Sequence, residues 1–168
     1  MPVVWSAVGA TVLPNVGGWV GAAVVRPNLK WYETLKRPSW RPPNWAFGPV
    51  WTTLYTGMGY ASYLVWRDGG GFEGNARLPL ALYASQLALN WTWSPIFFGA
   101  HNIPLSLVNI SLLYINTAAC GYSFYQINEC AGLLFVPYMA WLTLASCLNY
   151  YIYRHNRGSK SIKEEKEK

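Results

Sequence analysis

Charge is what this sequence has least of. Asp, Glu, Lys and Arg make up 12% of its 168 residues, against roughly 25% in an ordinary soluble domain. So few charges leave too little polar cover for a water-exposed surface. A disordered chain is excluded as well, because that class needs high charge and low hydrophobicity. Groups for metal or acid–base chemistry are scarce too. The two His (His101, His155) and three Cys (Cys120, Cys130, Cys147) show no CxxC or HExxH spacing, so no metal site is indicated. No GxSxG, P-loop or GxGxxG stands between a strand and a helix. The N-terminus has neither the charged start of a signal peptide nor an Arg-rich transit pattern, so targeting is expected to be internal.

The positions of the missing charges carry more information than their number. No Asp, Glu, Lys or Arg occurs in residues 1–25, 42–66, 78–128 or 130–153. A spanning helix needs about 20 mostly apolar residues. The third gap is long enough for two spans, divided by a Gly- and Pro-containing turn at Gly99–Pro104. The expected fold is therefore an all-α membrane protein, a bundle of five transmembrane helices over about 4–25, 44–66, 78–98, 104–125 and 131–153. It forms one membrane domain, 1–157, followed by a charged, solvated and mobile tail, 158–168. The apolar runs do not alternate with period two, which argues against a β-barrel.

Five spans sort the basic residues unequally. One side receives Arg67 and Arg77. The other receives Arg26, Lys30, Lys36, Arg37 and Arg41, together with Arg154, Arg157 and the four tail lysines. That asymmetry predicts a cytosolic first loop and C-terminus. The net charge of +6 lies at membrane edges, where anionic lipid explains it; no nucleic-acid partner is indicated.

What is present inside the spans is aromatic, small or mildly polar. The chain has 10 Trp, 12 Tyr and 6 Phe. The absence of ionisable groups at depth argues against proton pumps, ion-coupled transporters and voltage sensors. Asn15, Asn90, Asn109, Asn116 and Asn149 are expected to face the bundle or a span end and bond between helices. Gly17 with Gly21, and Ala81 with Ser85, form small-xxx-small steps that permit close approach within the bundle or between two copies. Three helical stripes stand out: Gly48, Trp51, Tyr55; Gln86, Asn90, Trp93, Phe97; and Tyr138, Trp141, Ala145, Leu148. Such stripes serve a packed aromatic core or the wall of a pocket for a flat apolar ligand. The stretch Arg37-Pro-Ser-Trp-Arg-Pro-Pro-Asn-Trp45 is stiffened by Pro38, Pro42 and Pro43. Its Trp40 and Trp45 suit an interfacial belt or a cover over the bundle mouth.

That stretch, continuing to Trp51-Thr-Thr-Leu-Tyr55, resembles the signature of the translocator protein family. The family is also known as the peripheral-type benzodiazepine receptors and, in bacteria, the tryptophan-rich sensory proteins. Gly17-Gly-Trp-Val-Gly-Ala22, Leu87-Ala-Leu-Asn-Trp-Thr-Trp93 and Pro137-Tyr-Met-Ala-Trp141 with Leu148-Asn-Tyr-Tyr151 agree with it. The resemblance covers about residues 5–157 and looks closer to animal than to bacterial members.

The resemblance implies a five-helix bundle, often dimeric, in the mitochondrial outer membrane, with the C-terminus in the cytosol. It implies binding of cholesterol, porphyrin and benzodiazepine- or isoquinoline-type drugs, a link to steroid synthesis, and no resident cofactor. The implied pocket is Ala22, Val25, Phe47, Gly48, Val50, Trp51, Asn90, Trp93, Leu112, Ala145 and Leu148. The implied sterol motif is Leu148, Tyr150, Tyr151 and Arg154, of the weak pattern L/V-x-Y-x-K/R. Bacterial relatives suggest a light-driven porphyrin breakdown, for which Trp51 and Trp141 hold the matching positions. A third role, recruitment of cytosolic partners by loop 26–43 and the tail, needs no ligand. The chain departs from close animal relatives at Phe47, Gly48, Ser94 and Leu105, positions that bear on ligand selectivity, and at Ala81 and Ser85, which bear on the dimer contact.

Overall fold

A helix satisfies its own backbone hydrogen bonds, which is why charge-free apolar runs resolve into helices where water is excluded. The computed structural model describes residues 4–156. Among them no strand occurs. The first long helix, α1 (Trp5–Val25), runs through a 3₁₀ turn, Arg26–Asn28, into α2 (Leu29–Thr34). Then follow α3 (Asn44–Asp68) and α4 (Arg77–Ser94), the latter prolonged by a π turn over Pro95–Gly99. The chain continues through α5 (Ile103–Ile127) and a short α6 (Glu129–Leu133) to α7 (Phe135–His155).

The five long helices fall on the five charge-free runs. Three apolar stretches, Trp5–Thr34, Ile103–Ile127 and Glu129–Asn156, are long and apolar enough to cross a membrane. α3 and α4 are long as well, but Trp45, Tyr60, Tyr63 and Trp66 in one and Gln86, Asn90, Thr92 and Trp93 in the other lower their mean hydropathy. Two boundaries differ from the sequence reading. The expected irregular loop after residue 25 begins as helix, because Pro27 tightens the chain into a 3₁₀ turn without ending it. The last span starts with a separate turn of helix, α6, capped by the Asn128 side chain accepting from the Ala131 amide at 2.9 Å. The charged tail lies outside the described residues.

The helices pack as a ring in which α1 meets α3 and α4, α4 meets α5, and α5 meets α7. α3 and α7 touch sparingly. Between them lies an open apolar groove of about 650 Å³, lined by Pro49, Val50, Thr53, Pro137, Trp141 and Leu144 among others. The α1–α3 crossing is close because Gly59 has no side chain. A Cβ there would strike the Ala10 carbonyl and the Thr11 backbone.

Side-chain contacts fix which loops share an end. The Asn156 amide accepts from the Lys36 backbone N–H at 3.0 Å and donates to the Lys36 carbonyl at 3.1 Å. Asn28 Oδ1 lies 3.0 Å from His101 Nε2. Loop 26–43, the α4–α5 turn and the end of α7 therefore meet at one end. At the other, Asn128 Nδ2 donates to Asp68 at 2.6 Å. The hydrogen bond from Arg67, and then that from Asn128, hold the Asp68 carboxyl below the usual carboxylate range.

Candidate functional site

The Asn residues do what amides in an apolar bundle must do: they find partners on other helices. Asn15 Nδ2 lies 3.3 Å from Thr56 Oγ1, joining α1 to α3. Asn109 donates to Thr92 at 3.2 Å and Asn116 to Ser85 at 2.7 Å, both joining α5 to α4. Asn90 stands at the centre. Its Oδ1 accepts from the Tyr55 hydroxyl at 2.5 Å, and its Nδ2 donates to the Tyr138 hydroxyl at 2.7 Å. Tyr138 donates onward to Gln86 Oε1 at 3.1 Å, and Gln86 Nε2 rests 3.7 Å from Met58 Sδ. This polar ladder ties α3, α4 and α7 together in the apolar core. Gln86, Met58 and Tyr138 are each 0% exposed.

Beside the ladder lies a cavity of about 460 Å³. α1 contributes a smooth wall of Gly17, Gly18, Gly21 and Ala22. α3 contributes Phe47, Gly48, Trp51 and Tyr55; α4 contributes Asn90, Trp91, Trp93 and Ser94. α5 supplies Ile110 and Leu113, and α7 supplies Leu142, Ala145, Leu148 and Asn149. The rings are ordered against one another. Trp51 stacks on Tyr55 at 5.3 Å, and Trp93 on Phe97 at 4.9 Å. Arg26 is the sole charged residue among those lining the cavity. Among the described residues no group of three or more His, Cys, Asp or Glu is placed to hold a metal ion.

The segment after α1 closes the same end. Trp31 stacks on His101 at 3.9 Å and meets Phe97 edge-on at 5.6 Å. Tyr32 is buried against Phe97 and Phe98, with the Arg37 guanidinium 5.0 Å from its ring centre. Leu29, Tyr32 and Asn44 all line the cavity. Trp40 and Trp45 instead point outward, 49% and 77% exposed. Of the proline-rich stretch only Asn44 lines the cavity; Leu29 and Tyr32 of α2 wall this end, and the stretch presents its Trp residues to the surroundings.

Of the expected pocket residues, Ala22, Val25, Phe47, Gly48, Trp51, Asn90, Trp93, Ala145 and Leu148 line this cavity, whereas Val50 and Leu112 do not. Helical phase explains both. Val50 turns to the α3–α7 groove. Leu112 is 52% exposed on the outer side of α5, while Leu113, one step of about 100° further round, faces inward. Trp141 lines the groove; its ring sits 6.5 Å from Trp51, behind the cavity wall. The sterol motif divides by phase as well. Leu148 faces the cavity, Tyr150 is 55% exposed, and Arg154 is exposed on nearly the same face as Tyr150. Tyr151 stacks on His155 at 3.9 Å. Residues the sequence did not assign to the pocket include Asn149, one turn from Ala145 on the same face and legible by spacing. Tyr32 had no such signal, because no periodicity marks its segment.

Comparison with known proteins places the chain in a family. The family model described as "TspO/MBR family" matches residues 10–154. The chain is 48% identical to the human "Translocator protein" over 153 residues, covering 90% of each chain. It is 41% identical over 133 residues to "Protein CrtK" of Rhodobacter capsulatus, covering 79% of this chain and 82% of that one. Identity to the "Tryptophan-rich sensory protein" of Cereibacter sphaeroides is 39% over 134 residues, covering 80% of this chain and 81% of that one. The match takes in all five long helices and every helix that lines the cavity, and the chain belongs to the TspO/MBR family.

Proposed function

We propose that this membrane protein binds flat apolar ligands inside its helix bundle and passes them on. Cholesterol and porphyrins are the favoured natural classes, and benzodiazepine- or isoquinoline-type drugs the synthetic ones. One observation carries the reading: a cavity of about 460 Å³ walled by stacked aromatic rings and glycines, with Arg26 the sole charged residue in its lining. Pockets of roughly 300–1,000 Å³ suit ligands of this size class. The amide–phenol ladder beside it offers hydrogen bonds without ionisable groups. The name of the human relative, a translocator, supports transport over binding alone.

In this reading all five long helices cross the membrane. α3 has 25 residues, so it extends about 37 Å at 1.5 Å per residue, longer than a roughly 30 Å hydrocarbon core. α4 and its π turn run from residue 77 to residue 99. The membrane is the mitochondrial outer membrane, with the C-terminus cytosolic and a role in cholesterol supply for steroid synthesis; likeness to the animal relative supports this. A second copy of the chain is the expected partner.

The test uses the full chain in lipid bilayers. Protoporphyrin IX should quench Trp fluorescence saturably, and cholesterol should compete. Ala145→Phe fills the cavity and should abolish saturable quenching while helical content is kept. Quenching that matches simple partition into lipid, or that survives Ala145→Phe, would refute the reading. Loss of porphyrin absorbance under light, abolished by Trp51→Phe or Trp141→Phe, would make the protein an enzyme instead.

A further inference from the structure

The ring of helices is uneven. α1 packs closely on α3 and α5 on α7, whereas α3 and α7 touch sparingly. Side chains therefore close the seam between α3 and α7. On its outer side runs the groove, with Thr53 and Ala140 exposed on opposite banks. On its inner side lies the cavity, walled here by Phe47, Gly48 and Trp51. Trp141 stands between the two. It lines the groove, and its ring meets Phe47 edge-on at 5.5 Å and Trp51 edge-on at 6.5 Å. One indole thus separates the groove from rings that wall the cavity. That indole is loosely held. The Trp91 N–H donates to the Pro14 carbonyl at 3.3 Å, and the Trp93 N–H to Asn149 Oδ1 at 2.9 Å. The Trp141 N–H is buried and has no partner among the described residues. A buried donor left unsatisfied disfavours the position that strands it. The cavity side also has room, since nothing lies within 4 Å of where a Cβ on Gly48 would stand.

We propose that the α3–α7 seam is a side passage between the bilayer and the cavity, with Trp141 as its door. The proposal rests on the cavity being a ligand site and on α3 and α7 crossing the membrane. Its own content is the route. An apolar ligand concentrates in lipid, and the groove opens the bundle to lipid. The basic end, where Leu29 and Tyr32 wall the cavity, is then bypassed. Swinging of one untethered indole suffices to join groove and cavity, with no helix displaced.

The experiment follows protoporphyrin IX on the full chain in bilayers. Onset of Trp quenching after mixing reports entry. Its recovery after excess protein-free vesicles are added reports exit. Thr53 and Ala140 line the groove and not the cavity, so Thr53→Phe with Ala140→Phe fills the passage from both banks. A barrier on the path is felt in both directions, so entry and exit should slow by the same factor, at least about threefold, with Kd unchanged. Trp141→Ala removes the door and should speed both. Asn156→Ala releases the tie to Lys36 at the basic end and should leave both rates as they are. Rates that ignore the filled groove overturn the proposal. So does a rise with Asn156→Ala alone, which would put the entrance at the basic end. A filled groove that changes Kd and only one rate also overturns it, because the groove would then act on the bound state. If porphyrin shows no saturable binding to the unaltered chain, the ligand-site reading itself falls and the passage with it.

Discussion

At the scale of single residues, Tyr138 has the most at stake. Its ring is fully buried between α3, α4 and α5, and its hydroxyl serves two amides at once. Tyr138→Phe keeps the ring and strands Asn90 Nδ2 and Gln86 Oε1 in an apolar core. Leaving a buried polar group unsatisfied costs about 1–3 kcal/mol. The expected loss is in that range, measured by reversible unfolding in mixed detergent. Adding Gln86→Leu should cost less than the sum of the two single changes, because they share one bond. Except for Met58, the residues of this ladder stand on the helical stripes legible in the sequence. Gln86, Asn90, Trp93 and Phe97 recur at helical spacing, and amides within a charge-free run have few places to go but inward. Val50 and Leu112 lie outside this cavity for a related reason. Likeness supplied their positions, and a shift of one residue on a helix turns a side chain by about 100°. Tyr32 was illegible because its burial depends on the α4–α5 turn, a contact that no local pattern encodes.

At the scale of elements, the glycines of α3 divide into two kinds. Gly59 faces the α1 backbone, which cannot move aside as a side chain end can. Gly59→Val should therefore separate α1 from α3 and cost about 1–3 kcal/mol, the usual range for overpacking. Gly48, earlier on the same helix, has nothing within 4 Å of where a Cβ would stand. Gly48→Ala should leave stability unchanged or raise it by up to about 1 kcal/mol, through helix propensity alone. The thermal midpoints of the two variants in one detergent should move in opposite directions or differ by several degrees. Equal destabilisation would mean that α1 and α3 are not held at the distance described. Composition alone could not separate the two glycines, because the difference lies in the neighbouring helix. The existence of the five long helices was legible, since a charge gap and the lack of period-two alternation leave few alternatives.

At the scale of the whole molecule, charge is sorted by end. Loop 26–43 with Arg154 lies at one end, and Arg67 and Arg77 lie at the other, a placement fixed by the Lys36–Asn156 and Asp68–Asn128 contacts. In a membrane the basic end should face the cytosol. α3 is the decisive element, since its aromatic content keeps its hydropathy low although its length suffices. Ser39 precedes α3 and Glu73 follows it, and both are exposed. On the proposed outer-membrane placement, and in a Cys130→Ser background, Ser39→Cys should react with an impermeant maleimide added outside intact mitochondria. Glu73→Cys should react only after the outer membrane is opened. Native Cys130, also exposed, should behave like Glu73→Cys, because α4 and α5 return the chain to the same side. Labelling of both engineered sites from one side would mean that α3 does not cross. The ring of helices would then have to sit otherwise in the bilayer.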